Sequence, residues 1–243
     1  MRYVFAILAV LSWHLKDVSA QAFDVDPALF GRGLELYQEN CAVCHGADGD
    51  GRGPLASGFT PRPRDFTLGV FKIQSTDIGD YPSRSDIQKV IRNGIQGSFG
   101  QTMPAFEALS EQDLAALSEV IRFAAAIEEF GEPMAVTPRP AVPDLARGAA
   151  VYEELDCAAC HGVNGDGNGP VADTLKDASG MPIRPADFRV GQFKGGNAPE
   201  EIWTRIYTGL GGTPMPSFGF NTSSDDMWAV TEYVMSFSSR KGE

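Results

Sequence analysis

All four cysteines of the chain stand in two matching settings, Cys41-Ala42-Val43-Cys44-His45 and, 116 residues later, Cys157-Ala158-Ala159-Cys160-His161. Two thiols separated by two residues share one helical turn. There they can add to the two vinyl groups of a porphyrin as thioethers, and the histidine that follows sets an imidazole under the iron. This is the attachment signal of c-type haem. Disulfides or a redox dithiol would leave the adjacent histidine unexplained. A zinc site made from all four cysteines would close the long loop from Cys44 to Cys157, against a usual spacing of about 12–20 residues. Two motifs, each with its histidine, predict two covalently bound haem c groups.

If the irons are held by His45 and His161, the sixth ligand must come from elsewhere. The one other histidine, His14, falls in an amino-terminal leader, and the cysteines are used. Methionine is left. Met103 and Met215 lie in matching glycine-rich loops, each followed by proline, which restricts the methionine backbone to extended conformations. Met227 and Met235 read as core residues of the last helix, and Met134 falls in a linker. Met181, also followed by proline, competes with Met215 for the second iron, although it has no counterpart in the first half.

The elements that must position these groups also come twice. Gly-Asp-Gly-x-Gly-Pro follows each motif, at 49–54 and 165–170. Arg62-Pro63-Arg64-Asp65-Phe66 answers to Arg184-Pro185-Ala186-Asp187-Phe188, and Gly69-Val70-Phe71-Lys72 to Gly191-Gln192-Phe193-Lys194. Arg62 and Arg184 could pair with haem propionates. Asp65 and Asp187 either orient those arginines or cap the next turn. The aspartates and glycines after each motif read as turn formers rather than a calcium loop, because Leu175 stands where a calcium loop needs glutamate.

Each half opens with Arg-Gly and a tyrosine before the cysteines (Arg32, Gly33 and Tyr37; Arg147, Gly148 and Tyr152). The glycine is either an ordinary helix-start residue or the point where another helix, with the terminal one as candidate, comes close. Each half closes with a serine and an aspartate at capping-box spacing, Ser110 with Asp113 and Ser223 with Asp226, opening an amphipathic helix. These patterns predict an all-α fold of two tandem domains, 27–130 and 144–241. The proline-rich linker, 131–143, could leave the domains in contact or apart.

Arg2, an apolar run from Tyr3 to Trp13 and Val18-Ser19-Ala20 have the layout of a secretory signal peptide, 1–20, and the run is too short for a hydrocarbon core that needs about 20 apolar residues. A periplasmic protein with no integral membrane span is expected. The formal net charge of −12 disfavours nucleic acid and anionic lipid as partners. It suits a basic redox partner or docking through an apolar haem edge.

Each repeat resembles a class I cytochrome c domain, on the strength of its attachment motif, its Met-Pro pair and the helices before and after them. The pair resembles periplasmic diheme cytochromes. Class I domains carry the distal methionine where Met103 and Met215 stand, so the resemblance implies the same ligands as the elimination. It further implies electron transfer between a dehydrogenase or respiratory donor and a terminal acceptor, with no substrate turned over at iron. The alternatives are a diheme enzyme of peroxidase or thiosulfate dehydrogenase type, and a haem-wiring subunit of a larger complex with a dehydrogenase or oxidase. Mass spectrometry of the purified protein should find two covalently attached haem groups, and one after joint Cys157→Ala and Cys160→Ala substitution. A parent mass with fewer than two would contradict the sequence reading.

Overall fold

A computed structural model describes residues 25–96, 99–100 and 102–239. The expected signal peptide lies outside the described residues. The first half contains α1 (Pro27–Asn40), α2 (Ala42–His45), α3 (Arg84–Asn93) and α4 (Glu111–Ala124). The second repeats the series as α5 (Leu145–Glu154), α6 (Cys157–His161), α7 (Pro199–Thr208) and α8 (Ser224–Ser239). The architecture is all-α. Its one ladder among the described residues is a two-residue antiparallel pairing of Ile95 with Met103 and Gln96 with Thr102.

Local chemistry sets the helix ends. Asp26 accepts from the Ala28 amide at 2.9 Å and Pro27 occupies the first turn of α1, where its missing N–H costs nothing. Ser110 accepts from the Asp113 amide, and Ser223 from the Asp226 amide, each at 3.1 Å, so both expected caps form. Among the described residues no helix is long and apolar enough to cross a membrane.

Helices α1 and α4 cross at Gly33, and α5 and α8 cross at Gly148. A Cβ at either glycine would stand 2.2 Å from a carbonyl oxygen of the partner helix, that of Ala116 or Ala229. Close approach, rather than a helix start alone, is therefore what these glycines provide. The neighbouring arginines complete each crossing: Arg32 Nε donates to Asp113 at 2.9 Å, and Arg147 Nε donates to Asp226 at 2.6 Å. Leu36, Tyr37, Leu114 and Leu117 fill the first core, and Val151, Tyr152, Met227 and Val230 the second.

The linker is docked from Gly131 to Arg139, and 140–143 are exposed. The Met134 amide donates to the Ser75 carbonyl at 2.8 Å, while Met134 and Val136 pack on the second core. Trp228, only 1% exposed, donates from Nε1 to the Thr137 carbonyl at 3.1 Å, and Arg139 forks onto the buried Glu232. The halves touch directly as well. Arg64 Nη2 donates to the Gly211 carbonyl at 3.1 Å, Arg205 Nη1 faces the Gln74 carbonyl at 3.4 Å, and Lys89 pairs with Glu201. Of the two arrangements open to the linker, contact is the one adopted.

Gly148→Ala should destabilise the chain by about 1–3 kcal/mol, the usual range for overpacking, because the added methyl must push α5 off α8. Gly31→Ala, whose methyl would meet nothing within 4 Å, serves as the reference and should be neutral or stabilising. Urea unfolding of the two variants checks this; equal midpoints would show that the crossing tolerates a side chain.

Candidate functional site

The first helix of each half leads into its motif, Cys41 directly after α1 and Cys157 with two residues between it and the end of α5. The Cys41 amide donates to the Tyr37 carbonyl at 2.8 Å, and the Leu155 amide to the Val151 carbonyl at 2.9 Å. The Tyr37 and Tyr152 hydroxyls then donate to the carbonyls of Gly46 and Gly162, at 2.9 and 2.8 Å, so each tyrosine pins the residue just past the histidine. No cysteine is in a disulfide. Burial pushes the Cys41 thiol up to about 11 and the Cys157 thiol up to about 12, with the neighbouring Cys44 adding to the first. Neutral thiols are the opposite of what a metal-binding or redox-active cysteine needs. Among the described residues no three acidic, histidine or cysteine side chains are gathered as a metal site.

The histidines are held from one side. His45 Nδ1 lies 3.0 Å from the Arg64 carbonyl and His161 Nδ1 lies 3.3 Å from the Ala186 carbonyl. A carbonyl can only accept, so Nδ1 carries the proton and Nε2 keeps its lone pair. Burial lowers both imidazole pKa values, that of His161 to about 4, against the opposing pull of these carbonyls. Phe66 stacks on His45 with ring centres 4.6 Å apart, and Phe188 on His161 at 4.3 Å. Phe71 and Phe193 extend the stacks at 6.3 and 5.8 Å. Of the two roles open to Asp65 and Asp187, the structure shows capping: they accept from the amides of Thr67 and Arg189 at 2.9 and 3.0 Å. Asp50 and Asp166 likewise close turns, each accepting at 3.0 Å from an amide two residues on.

The two Met-Pro loops are tied to the ends of α3 and α7 in the same way. Phe106 donates its amide to the Ile91 carbonyl at 3.1 Å, and Phe218 to the Ile206 carbonyl at 3.2 Å. Gly94 (φ 67°) and Gly209 (φ 72°) end these helices in a conformation that side chains resist. A Cβ there would run into the backbone of Met103 or of Pro216. Both methionines are half-buried. Met181 instead sits in a tight turn, its amide donating to Asp177 Oδ1 at 2.9 Å and its carbonyl accepting from the Asp177 amide at 2.8 Å. Met227 is fully buried and Met235 packs on the same core.

Arg62 and Arg184 are both exposed, and Arg184 pairs with Asp173. The cations withdrawn from water are others, which the sequence did not single out for this role. Burial lowers the pKa of Lys72 to about 8, with Arg64 and Lys194 adding repulsion and Asp177 opposing. Lys194 and Arg64 are lowered by burial as well, and Arg205 falls to about 10 for the same reason. The repeated Gly-x-Phe-Lys segment was the available signal, but a lysine after phenylalanine does not announce burial.

These donors suit a covalently attached haem: reduced thiols on one turn, a neutral imidazole with Nε2 free, and a thioether on a braced loop. Trp203 Nε1 and Arg205 Nε are buried donors with no acceptor among the described residues, and so have room for an added one.

Comparison with known proteins agrees. The family described as cytochrome c matches residues 145–238, and that described as cytochrome c oxidase, cbb3-type, subunit III matches residues 28–119. The cbb3-type cytochrome c oxidase subunit FixP of Azorhizobium caulinodans is 26% identical over 235 residues, covering 93% of this chain and 67% of the relative. Subunit CcoP of the same oxidase type from Azospirillum brasilense is 25% identical, covering 94% and 68%. A chain of the Kuenenia stuttgartiensis reducing HAO-like protein complex Kustc0457/Kustc0458 superposes with a TM-score of 0.78 at 39% identity, covering 85% of this chain and 95% of that one. Two cytochrome c domains in tandem, each with its own Cys-x-x-Cys-His turn, make this chain a member of the c-type cytochromes, a diheme electron-transfer protein.

Proposed function

We propose that the chain is a periplasmic electron carrier with one haem c in each domain, 27–130 and 144–241, joined through 131–143. Cys41 and Cys44 attach the first haem and Cys157 and Cys160 the second. His45 and His161 are the proximal ligands of iron, Met103 and Met215 the distal ones. The observation that carries this reading is the oriented, neutral imidazole beside two reduced thiols, His45 on the Arg64 carbonyl at 3.0 Å and His161 on the Ala186 carbonyl at 3.3 Å. The family matches to 28–119 and 145–238 support the domain limits.

When bound, haem c supplies an iron that takes up and gives up one electron. The chain's residues set how readily it does so. A thioether is a weak donor that favours the reduced metal, so Met103 and Met215 raise the potential relative to a second imidazole. A position filled by methionine also keeps small molecules off the metal, which favours a carrier over a peroxidase or a thiosulfate dehydrogenase. Arg62 and Arg184 keep their proposed pairing with propionates on their place in the repeat.

Electrons pass to and from a dehydrogenase or a terminal oxidase. Exposed Val43 and Leu55 beside the first motif, and Val163 and Val171 beside the second, support docking through an apolar edge, and the acidic chain favours a basic partner. The leader pattern at 1–20 supports export. A second reading, that of a fixed subunit, is favoured by the relatives, two of which are oxidase subunits and one a chain of a complex. Purification in constant proportion with a partner would select it over a mobile carrier.

Met103→Ala or Met215→Ala should lower the midpoint potential of its own haem, within the range of about 0.8 V that axial ligands span, and let added imidazole or carbon monoxide bind there. Redox titration with optical spectra checks this. A variant with the parent's spectrum and potential would remove that methionine from the ligand set.

A further inference from the structure

Beyond residue 20 the chain has five lysines, and three of them, Lys72, Lys89 and Lys194, stand where the two repeats meet, together with Arg64 and Arg205. Lys72 and Lys194 hold the same place in their repeats and both are drawn out of water, Lys72 against the like charges of Arg64 and Lys194 with Asp177 opposing; neither makes a hydrogen bond or ion pair among the described residues. The residues after them also face each other, since a Cβ at Gly195 would lie 3.0 Å from Ile73 Cγ2. Arg205 is 9% exposed, and its Nε is buried without an acceptor.

The nearby carboxylates are already engaged. Asp86 accepts from the amides of Ser75 and Ser83, Glu201 holds Lys89 and the Ala198 amide, and Asp177 accepts from the amides of Ser179 and Met181. Like charges drawn together out of water need further anionic oxygen.

We propose that this oxygen comes from the haem propionates of both domains, which meet at the seam and are held jointly by Lys72, Lys194, Arg64 and Arg205. The inference rests on the proposed haem sites. The cysteines bind the vinyl-bearing half of each porphyrin, so the propionates project from the other half. Each lysine directly follows the phenylalanine that extends the stack on its histidine, Phe71 or Phe193. A cavity of about 550 Å³, lined by Phe193, Lys194 and Arg184 from one domain and Ile73, Lys89 and Asn93 from the other, gives room beside Lys194 and next to the residue that follows Lys72. Cations supplied in common make each haem sense residues of the opposite domain.

The test uses the full haem-loaded protein, with haem content fixed by mass. Lys72→Gln and Lys194→Gln should each lower the midpoint potentials of both haems, because a lost positive charge favours the oxidised metal, and Lys72→Arg should restore both. A shift confined to the lysine's own domain, or no shift, overturns the proposal. A crystal structure of the parent provides a reading independent of any variant. Propionate oxygens within hydrogen-bond distance of Lys72 and Lys194 support the seam; an anion from solution there, with the propionates elsewhere, overturns it. A parent with fewer than two haems would instead refute the haem sites themselves.

Discussion

One hydrogen bond, made twice, organises each half of this molecule: a histidine Nδ1–H on a backbone carbonyl, His45 on Arg64 and His161 on Ala186. It fixes both the tautomer and the tilt of the ring, so that Nε2 has one direction in which to bind. A carbonyl can do this only if its own segment is fixed. Proline precedes it, an aspartate that caps the next turn follows it, and the next phenylalanine stacks on the imidazole being held. The histidine is in turn anchored behind by a tyrosine hydroxyl on the following glycine carbonyl. The helix crossings at Gly33 and Gly148 place those tyrosines, so packing tens of residues away in sequence sets where the imidazole points.

What could be read from the chain was whatever repeats at short range. The Cys-x-x-Cys-His turns, the Met-Pro loops, the serine caps and the helical class are all local patterns written twice, and repetition separates a motif from coincidence. Of the two uses open to Gly33 and Gly148, close approach is the one found, but the salt bridges from Arg32 and Arg147 to the caps of the terminal helices were not legible. Their partners lie 81 and 79 residues away. The docked linker was hidden for the same reason. Prolines announce an extended chain, but only tertiary structure shows Trp228 meeting Thr137 and Arg139 meeting Glu232.

The repeat also directed attention unevenly. Arg62 and Arg184 stood out because they match, and both lie at the surface. The cations that leave water include two without a counterpart: Arg64 stands opposite Ala186, and Arg205 opposite Val90. Both point across the seam, toward Gly211 and Gln74 of the other half. Duplicated domains keep in common what each needs alone and diverge where they touch, because contacts between two unlike surfaces are not constrained to be symmetric.

The charge distribution gives that divergence a physical sense. A chain of net charge −12 has few cations, and placing several of them in one interface costs desolvation and mutual repulsion that a solvated surface would avoid. Lys72 experiences both, from burial and from Arg64 and Lys194. Hydrophobic burial between the halves could have been had more cheaply with apolar residues, as Ile73 against Gly195 illustrates. A positively charged seam inside an acidic protein is therefore better understood as electrostatics directed at the proposed haem sites on either side of it than as glue between domains. The field of a cation drawn out of water is poorly screened, so with haem bound as proposed it would reach both sites and favour the reduced state of each.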